Sequence, residues 1–344
     1  MECIIDIFSR SSTSIWYSLM LTPGSPGVCT LDSLDANACD FYKDNGFLVI
    51  TNAVTPDGLA ELAAETVAVC RGEYGQVSRS PQAVGGPLTD EMLAEMPAEE
   101  LISHFLCIHH PHKISATFER YLAHPAIVAA LTKVIGPNVK CMQSMLFVKS
   151  SGKPGQAWHQ DEDYIPTRDR SLTGAWIAID DATVENGCLW VIPGSQRRGI
   201  LYPQYPHDDS DYDCSVMSYN FPYDESVDAI PVEVPAGSIV FFNGYLLHKS
   251  LPNRAPEGTF RRVLVNHYMS AESLLPWQFS PGVPIAKQDY RDIVMIAGED
   301  PYAWKGLDDS ARPSVRSAGY GGCGDGRSDL EAHLQKPVSE RRSD

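Results

Sequence analysis

VKCMQSMLFVKSSGKPGQAWHQD, residues 139–161, is the stretch on which the fold turns. It opens as an apolar-rich β-type run, breaks at a Gly/Pro loop, and ends with His159 and Asp161 two positions apart. The same texture recurs downstream in LTGAWIAID (172–180), GCLWVIP (187–193), IPVEVP (230–235), SIVFFNG (238–244) and TFRRVLVNHYM (259–269). Short runs of this kind, separated by Gly, Pro, Asn and Asp with no helical period between them, imply an antiparallel sandwich or barrel. The fold class expected is mainly β with flanking helices, the β-core covering about residues 138–272 and helices packing on one face.

Upstream the texture is helical. FYKDNGFLVITNAV (41–54) reads as a helix end, an Asn-Gly turn and a strand through Phe47, Val49 and Thr51. Thr55 can cap a helix with Pro56 at its first position, and Leu59, Leu62, Thr66 and Val69 then recur at helical spacing. A second helical region is expected from about Ser115 to Val134, with Phe118, Leu122, Ile127, Leu131 and Val134 as its buried stripe and Gly136-Pro137 as its stop. Residues 1–35, rich in Ser, Thr, Gly and Pro, are read as a flexible extension without the pattern of a signal peptide. A single domain spans 36–306. Residues 307–344, with GYGGCGDG and SERRSD, lack a hydrophobic period and are read as a flexible tail.

The chemistry starts at Trp158-His159-Gln160-Asp161. On an extended backbone, residues two apart leave the same face, so an imidazole and a carboxylate can meet at one point. His248, at the end of SIVFFNGYLLH, offers a second imidazole. Two imidazoles and a carboxylate on one face of an octahedron leave the opposite face open, the arrangement of non-haem Fe(II) oxygenases. On the following strand Arg261 and Arg262 are adjacent and point to opposite faces, so only one can turn inward to grip a dicarboxylate through its planar fork. Arg261, Val263, Val265 and His267 share one face; Arg262, Leu264 and Asn266 share the other. This argument alone leaves the two arginines open.

These residues carry a family resemblance. WHQDEDYIP (158–166), AWIAIDDATVENGCLWVIPGS (175–195), GSIVFFNGYLLHKSLPN (237–253) and FRRVLVNHY (260–268) together resemble the phytanoyl-CoA dioxygenase family of Fe(II)/2-oxoglutarate oxygenases, and FYKDNGFLVI (41–50) is similar to that family's opening. The resemblance covers about residues 38–275. It implies a double-stranded β-helix, the jelly-roll or cupin-like core. It implies Fe(II) on His159, Asp161 and His248, with 2-oxoglutarate chelating the metal and its far carboxylate on an arginine. The Phe-Arg match places that arginine at Arg261. Ser250, Trp176 and Gln143 match positions that resemble co-substrate contacts. The activity implied consumes O2 and converts 2-oxoglutarate to succinate and CO2 while hydroxylating an unactivated C–H bond. Related halogenases replace the carboxylate with a small residue, so Asp161 points to oxygenation. The substrate expected is a small polar metabolite or natural-product precursor. An acyl-CoA thioester and a non-oxidative cupin-like metal protein or isomerase are the alternatives.

Composition narrows the partners. The 344 residues carry 44 acidic against 27 basic side chains, a net charge of −17, and no run of Lys or Arg exceeds two, so neither nucleic acid nor an anionic membrane surface is an expected partner. Nothing approaches the roughly 18 consecutive apolar residues of a membrane helix. Nine scattered cysteines without a C-x-x-C pair read as reduced thiols in a cytoplasmic protein. Oligomeric state is open. His109, His110 and His112 form a cluster read as structural or surface, with substrate contact as the functional reading. Trp158, Tyr164 and Tyr202 are candidates for the pocket mouth, Arg168 and Arg170 for an anionic substrate, and HDDSDYDC (207–214) for a lid.

Overall fold

The computed structural model describes residues 21, 24–75, 82–83, 86–87, 89–213, 217–274, 293–307 and 312–317. Its strands in chain order begin with β1 (Val28–Cys29), β2 (Phe47–Ile50), β3 (Gln82–Ala83), β4 (Gly86–Pro87), β5 (Phe105–His109) and β6 (Val139–Ser150). Next come β7 (Gln156–His159), β8 (Thr173–Ala178), β9 (Leu189–Val191), β10 (Gln204–Tyr205), β11 (Ser218–Tyr219) and β12 (Ile230–Val232). The series closes with β13 (Ile239–Asn243), β14 (His248–Ser250), β15 (Phe260–Ser270), β16 (Val294–Ala297) and β17 (Ser314–Ser317). The helices are α1 (Ala36–Asn45), α2 (Pro56–Arg71), α3 (Asp90–Glu95), α4 (Ala98–Ser103), α5 (Ala116–Leu122), α6 (Pro125–Val134), α7 (Asp161–Tyr164) and α8 (Glu225–Asp228).

Two sheets face each other. The larger runs β1-β2-β13-β8-β15-β6-β5-β17, with β16 also on β6, and the smaller runs β12-β9-β14-β7. Apart from the parallel β1–β2 pair, the strands of both sheets pair antiparallel. The period-2 rule sorts β6 and β15 into two faces. One face carries Leu146, Val148, Leu264 and Tyr268, which pack on Leu62 of α2, Phe118 and Leu122 of α5, and Ile127 and Leu131 of α6. From the inward face, Trp176, Val240, Val263 and Val265 meet Leu189, Val191 and Val232 of the smaller sheet. Apolar residues on both faces explain why β6 reads as a nearly continuous hydrophobic run. Facing antiparallel sheets with helices on one outer face make a double-stranded β-helix, or jelly-roll, core.

Local signals place the helices. Thr55 accepts from Gly58 N at 3.2 Å, a cap worth about 1 kcal/mol. Pro56 takes the first position of α2, and Leu62, Thr66 and Val69 are buried. The single helical region expected over 115–134 is corrected to two helices. Pro125 starts α6, and the residue before a proline avoids helical ψ: His124 sits at φ −55, ψ 137. The boundaries of the flexible ends also shift. Val28–Cys29, within the assigned extension, pairs with Val49–Ile50, and Ser314–Ser317, within the assigned tail, pairs with β5. Residues 1–20 and 318–344 lie outside the described residues. Among the described residues no helix is long and apolar enough to cross a membrane.

Candidate metal centre and active site

Strands β7 and β14 pair with His159 directly opposite His248. Cross-strand partners project to one face, and the two ring centroids lie 4.1 Å apart. Asp161 follows Gln160, whose backbone is extended at φ −130, ψ 123, and is itself the first residue of α7. Gln160 is fully buried and pins this segment, donating to Tyr245 O at 2.8 Å and Ile200 O at 3.0 Å and accepting from Tyr202 N at 3.0 Å.

The three side chains converge without bonding one another. Asp161 Oδ1 is 3.7 Å from His159 Nε2 and 3.6 Å from His248 Nε2, and one potential ligand atom from each residue lies within 4.8 Å of the others. His159 Nδ1 is 2.7 Å from Ala157 O and His248 Nδ1 is 3.0 Å from Leu246 O. Each carbonyl accepts the Nδ1 proton, so each Nε2 turns a lone pair inward. Burial, and next His248, pull the His159 imidazole down to about 4, so it is neutral at pH 7, the form that ligates. Burial alone raises the Asp161 carboxyl; His248 and His267 outweigh it and hold it well below the usual carboxylate range. Two nitrogen lone pairs facing a carboxylate oxygen repel unless a cation sits among them, so the donor set fits a divalent metal.

The other Asp161 oxygen is already held. His267 Nε2 lies 3.1 Å from Oδ2 and donates to it, leaving Oδ1 toward the imidazoles. His267 is on β15 opposite Gln143 of β6 and Gly174 of β8, on the same face as Arg261.

The cavity beside this cluster has a volume of about 410 Å3. Arg261 lines it and is 3% exposed, its Cζ 5.5 Å from the Trp176 ring centroid and its Nε without a hydrogen-bond partner. Burial draws its guanidinium down to about 10. Arg262 points to the opposite face, where Nε and Nη2 grip Asp180 at 2.8 and 2.6 Å. Of the two adjacent arginines, Arg261 is thus the one that faces the cavity. Directly opposite Arg261 on β6 stands Lys149, whose Nζ donates to Ser250 Oγ at 3.0 Å and Leu251 O at 2.6 Å. Burial, then Arg261, lower Lys149 well below 10.5. Ser250 Oγ also accepts from Gln156 N at 3.2 Å, so both lone pairs are engaged and its proton is left to donate to a further acceptor. Gly187, at φ 85, permits the arrangement, because a Cβ there would run into the Leu251 carbonyl that Lys149 uses.

Gln143, Trp176 and Ser250 all line the cavity. Gln143 Nε2 is 3.3 Å from His109 Nδ1. The histidine cluster divides: His109 and His110 line the cavity, whereas His112 is buried against Ser144, Nδ1 to Oγ 2.5 Å. Tyr164 lines the cavity; Trp158 and Tyr202 instead pack with Tyr219 and Leu247 in a separate core. Arg170 lies over the Tyr245 ring at 5.6 Å, and neither it nor Arg168 lines the cavity. Of the proposed lid, residues 207–213 are described, and Tyr212 bridges Gly155. Lys149 and His267 were not singled out from sequence. The signal for both was the alternation itself, since Gln143, Met145, Phe147 and Lys149 share one face of β6 as Arg261 and His267 share one of β15.

Known proteins match this arrangement. The model of the phytanoyl-CoA dioxygenase (PhyH) family matches residues 42–263, more than half of the chain. The peroxisomal phytanoyl-CoA dioxygenase of Rattus norvegicus is 31% identical over 256 residues, 71% of each chain. That of Homo sapiens is 30% identical over 240 residues, 67% of each. Among solved structures, the fold is shared with the non-heme alpha-ketoglutarate-dependent epimerase SnoN from nogalamycin biosynthesis, at TM-score 0.53 and 18% identity over 74% of this chain and 88% of that one. It is shared also with EctD from S. alaskensis with bound Fe, at TM-score 0.53 and 17% identity over 78% and 85%. The chain belongs to the phytanoyl-CoA dioxygenase family of Fe(II)/2-oxoglutarate-dependent oxygenases.

Proposed function

We propose that this chain hydroxylates an unactivated C–H bond of a small polar metabolite, with His159, Asp161 and His248 holding Fe(II) and Arg261 holding the far carboxylate of 2-oxoglutarate. The observation that carries the reading is one cavity lined both by three inward lone-pair donors and by the buried Arg261, whose cross-strand partner is Lys149. When bound, Fe(II) and 2-oxoglutarate supply the O2-dependent oxidation that yields succinate and CO2. The chain's own residues bind and orient. Arg261 offers a bidentate fork, and Lys149 adds charge and turns Ser250 so that its hydroxyl donates to the same carboxylate. The Trp176 face backs the guanidinium, and Gln143 offers an amide near the metal end of the cavity. His267 holds Asp161 Oδ2, so that Oδ1 would be the oxygen offered to a metal.

The names of the relatives make an acyl-CoA thioester the competing substrate. A nucleotide diphosphate calls for a cluster of cations, and among the described residues lining the cavity the only lysine or arginine side chains are Arg261 and Arg312. That composition favours a smaller substrate. A cytoplasmic location belongs to this reading, supported by the buried thiols Cys70, Cys141 and Cys188, which form no disulfide. The deciding experiment is an anaerobic titration of the apo-protein with Fe(II) and 2-oxoglutarate, following the visible charge-transfer band of the chelate, with Arg261→Ala alongside. A band that needs far more co-substrate in the variant supports the assignment; iron binding without a band overturns it.

A further inference from the structure

Three acidic residues in a row, Asp161, Glu162 and Asp163, open α7, and its four residues make a single turn, too short to persist without outside support. The start of the turn is tied through Gln160, whose side chain reaches Ile200 O and Tyr202 N. Asp163 adds a second tie to the same neighbouring part of the chain. Its Oδ2 accepts from the Tyr219 hydroxyl at 2.6 Å and from Gln204 Nε2. Gln204 of β10 and Tyr219 of β11 are cross-strand partners, and Gln204 Nε2 also donates to the Tyr219 hydroxyl at 2.8 Å. A hydroxyl that accepts on one side and donates on the other is fixed in direction, and an ionised acceptor makes the donated bond a strong one.

The Tyr219 ring is set as firmly as its hydroxyl. It is buried in one cluster with Trp158, Ile192 and Leu247. Trp158 directly precedes His159, and Leu247 directly precedes His248. One tyrosine therefore packs against the sequence neighbours of both imidazoles and hydrogen-bonds the helix that begins with the carboxylate. Neither Asp163, Gln204 nor Tyr219 lines the cavity, so whatever this group does for the metal centre passes through the backbone of α7 and not through contact with a ligand there.

We propose that Tyr219 is a positioning residue for the metal centre. Its hydroxyl, directed by Gln204, holds Asp163 and with it the single turn of α7, so that Asp161 is presented to His159 and His248 in the geometry a divalent ion needs. The inference rests on the reading of His159, Asp161 and His248 as the metal site.

The test titrates the full apo-protein with Co(II), in competition with a chelator of known affinity, and records the d–d absorption, which reports the number and geometry of the donors. Tyr219→Phe keeps the ring and the charge of Asp163 and removes only the hydroxyl. It is expected to weaken Co(II) binding about tenfold and to alter the d–d spectrum. Asp163→Ala also removes a negative charge, so the comparison that isolates the bond is the double variant: once Asp163 is alanine, Tyr219→Phe should cost nothing further. Tyr223→Phe deletes a hydroxyl that meets Tyr202 at 3.4 Å in the same aromatic group, and it should bind Co(II) as wild type does. A Tyr219→Phe protein that melts at lower temperature but keeps the wild-type affinity and spectrum has lost a structural contact only, which overturns the proposal; so does an undiminished loss in the Asp163→Ala background. Should Tyr219→Phe fail to fold, Gln204→Ala at an exposed position decides the matter, with a smaller loss in the same direction expected and wild-type behaviour overturning the proposal. If the wild-type protein takes up no Co(II), the metal-site reading has failed and this inference falls with it; wild-type uptake with an indifferent Tyr219→Phe refutes the inference alone.

Discussion

Arg261 and Lys149 are direct cross-strand partners on β15 and β6, two basic side chains side by side on the inward face of the larger sheet. Like charges placed opposite each other are destabilising, and burial adds to the cost, unless an anion lies between them. This relationship suits an anion, and it is the place proposed for the far carboxylate of 2-oxoglutarate. Arg261→Ala is expected to weaken 2-oxoglutarate binding by roughly 2–5 kcal/mol, measured by titration of the chelate band. Arg262→Ala should leave that affinity within about twofold and instead cost about 1–3 kcal/mol of stability in a denaturant melt, because its partner is Asp180.

Lys149 supplies a pH dependence with a definite sign. Its folded pKa lies well below the ordinary 10.5, so between those two values the unfolded chain binds the extra proton. Stability of the apo-protein contributed by this group therefore rises with pH across that window. Thermal melts should show the rise in wild type and its absence in Lys149→Met. Because a bound dicarboxylate favours the charged ammonium, calorimetry in buffers of different ionisation enthalpy should also detect proton uptake on 2-oxoglutarate binding. Equal proton uptake in wild type and Lys149→Met would refute this account.

The hydrogen bond from His267 to Asp161 Oδ2 fixes which carboxylate oxygen faces the imidazoles. Its removal in His267→Ala should lower Fe(II) affinity by about 10- to 100-fold, the usual cost of losing a ligand's orienting partner. His267→Asn, which keeps an N–H donor, should recover part of it. Competition against a chelator of known affinity measures both.

His159→Ala and Asp161→Ala are each expected to abolish iron-dependent succinate formation. Without metal, their melting temperatures should equal or exceed that of wild type, since one of three mutually repelling donors has gone. Full activity in either variant would remove these residues from the metal site.

Much of this architecture was legible in the order of residues. Strand alternation in β6 and β15, the Thr55-Pro56 helix start, and the succession of His159, Asp161 and His248 are local or pattern-level signals, and each reports a backbone period or a donor type. Pro125 was equally local, and the division of the 115–134 region at His124 follows from the steric rule for residues before proline. The tie of β1 and β17 to the larger sheet was not legible, because two- and four-residue edge strands carry too few positions to show a period.

By itself the sequence determined the residue types of the site, the alternation that puts Arg261 and His267 on one face of a strand, and the family to which the chain belongs. Only the tertiary structure decided that His159 stands opposite His248, that Asp180 takes Arg262 and leaves Arg261 to the cavity, and that Lys149 is the cross-strand partner of Arg261. The reason is physical. Which side chains share a face follows from the two-residue period of a single strand, whereas which strand lies beside it, and in what register, is set by burying two sheet faces at once between residues far apart in the chain.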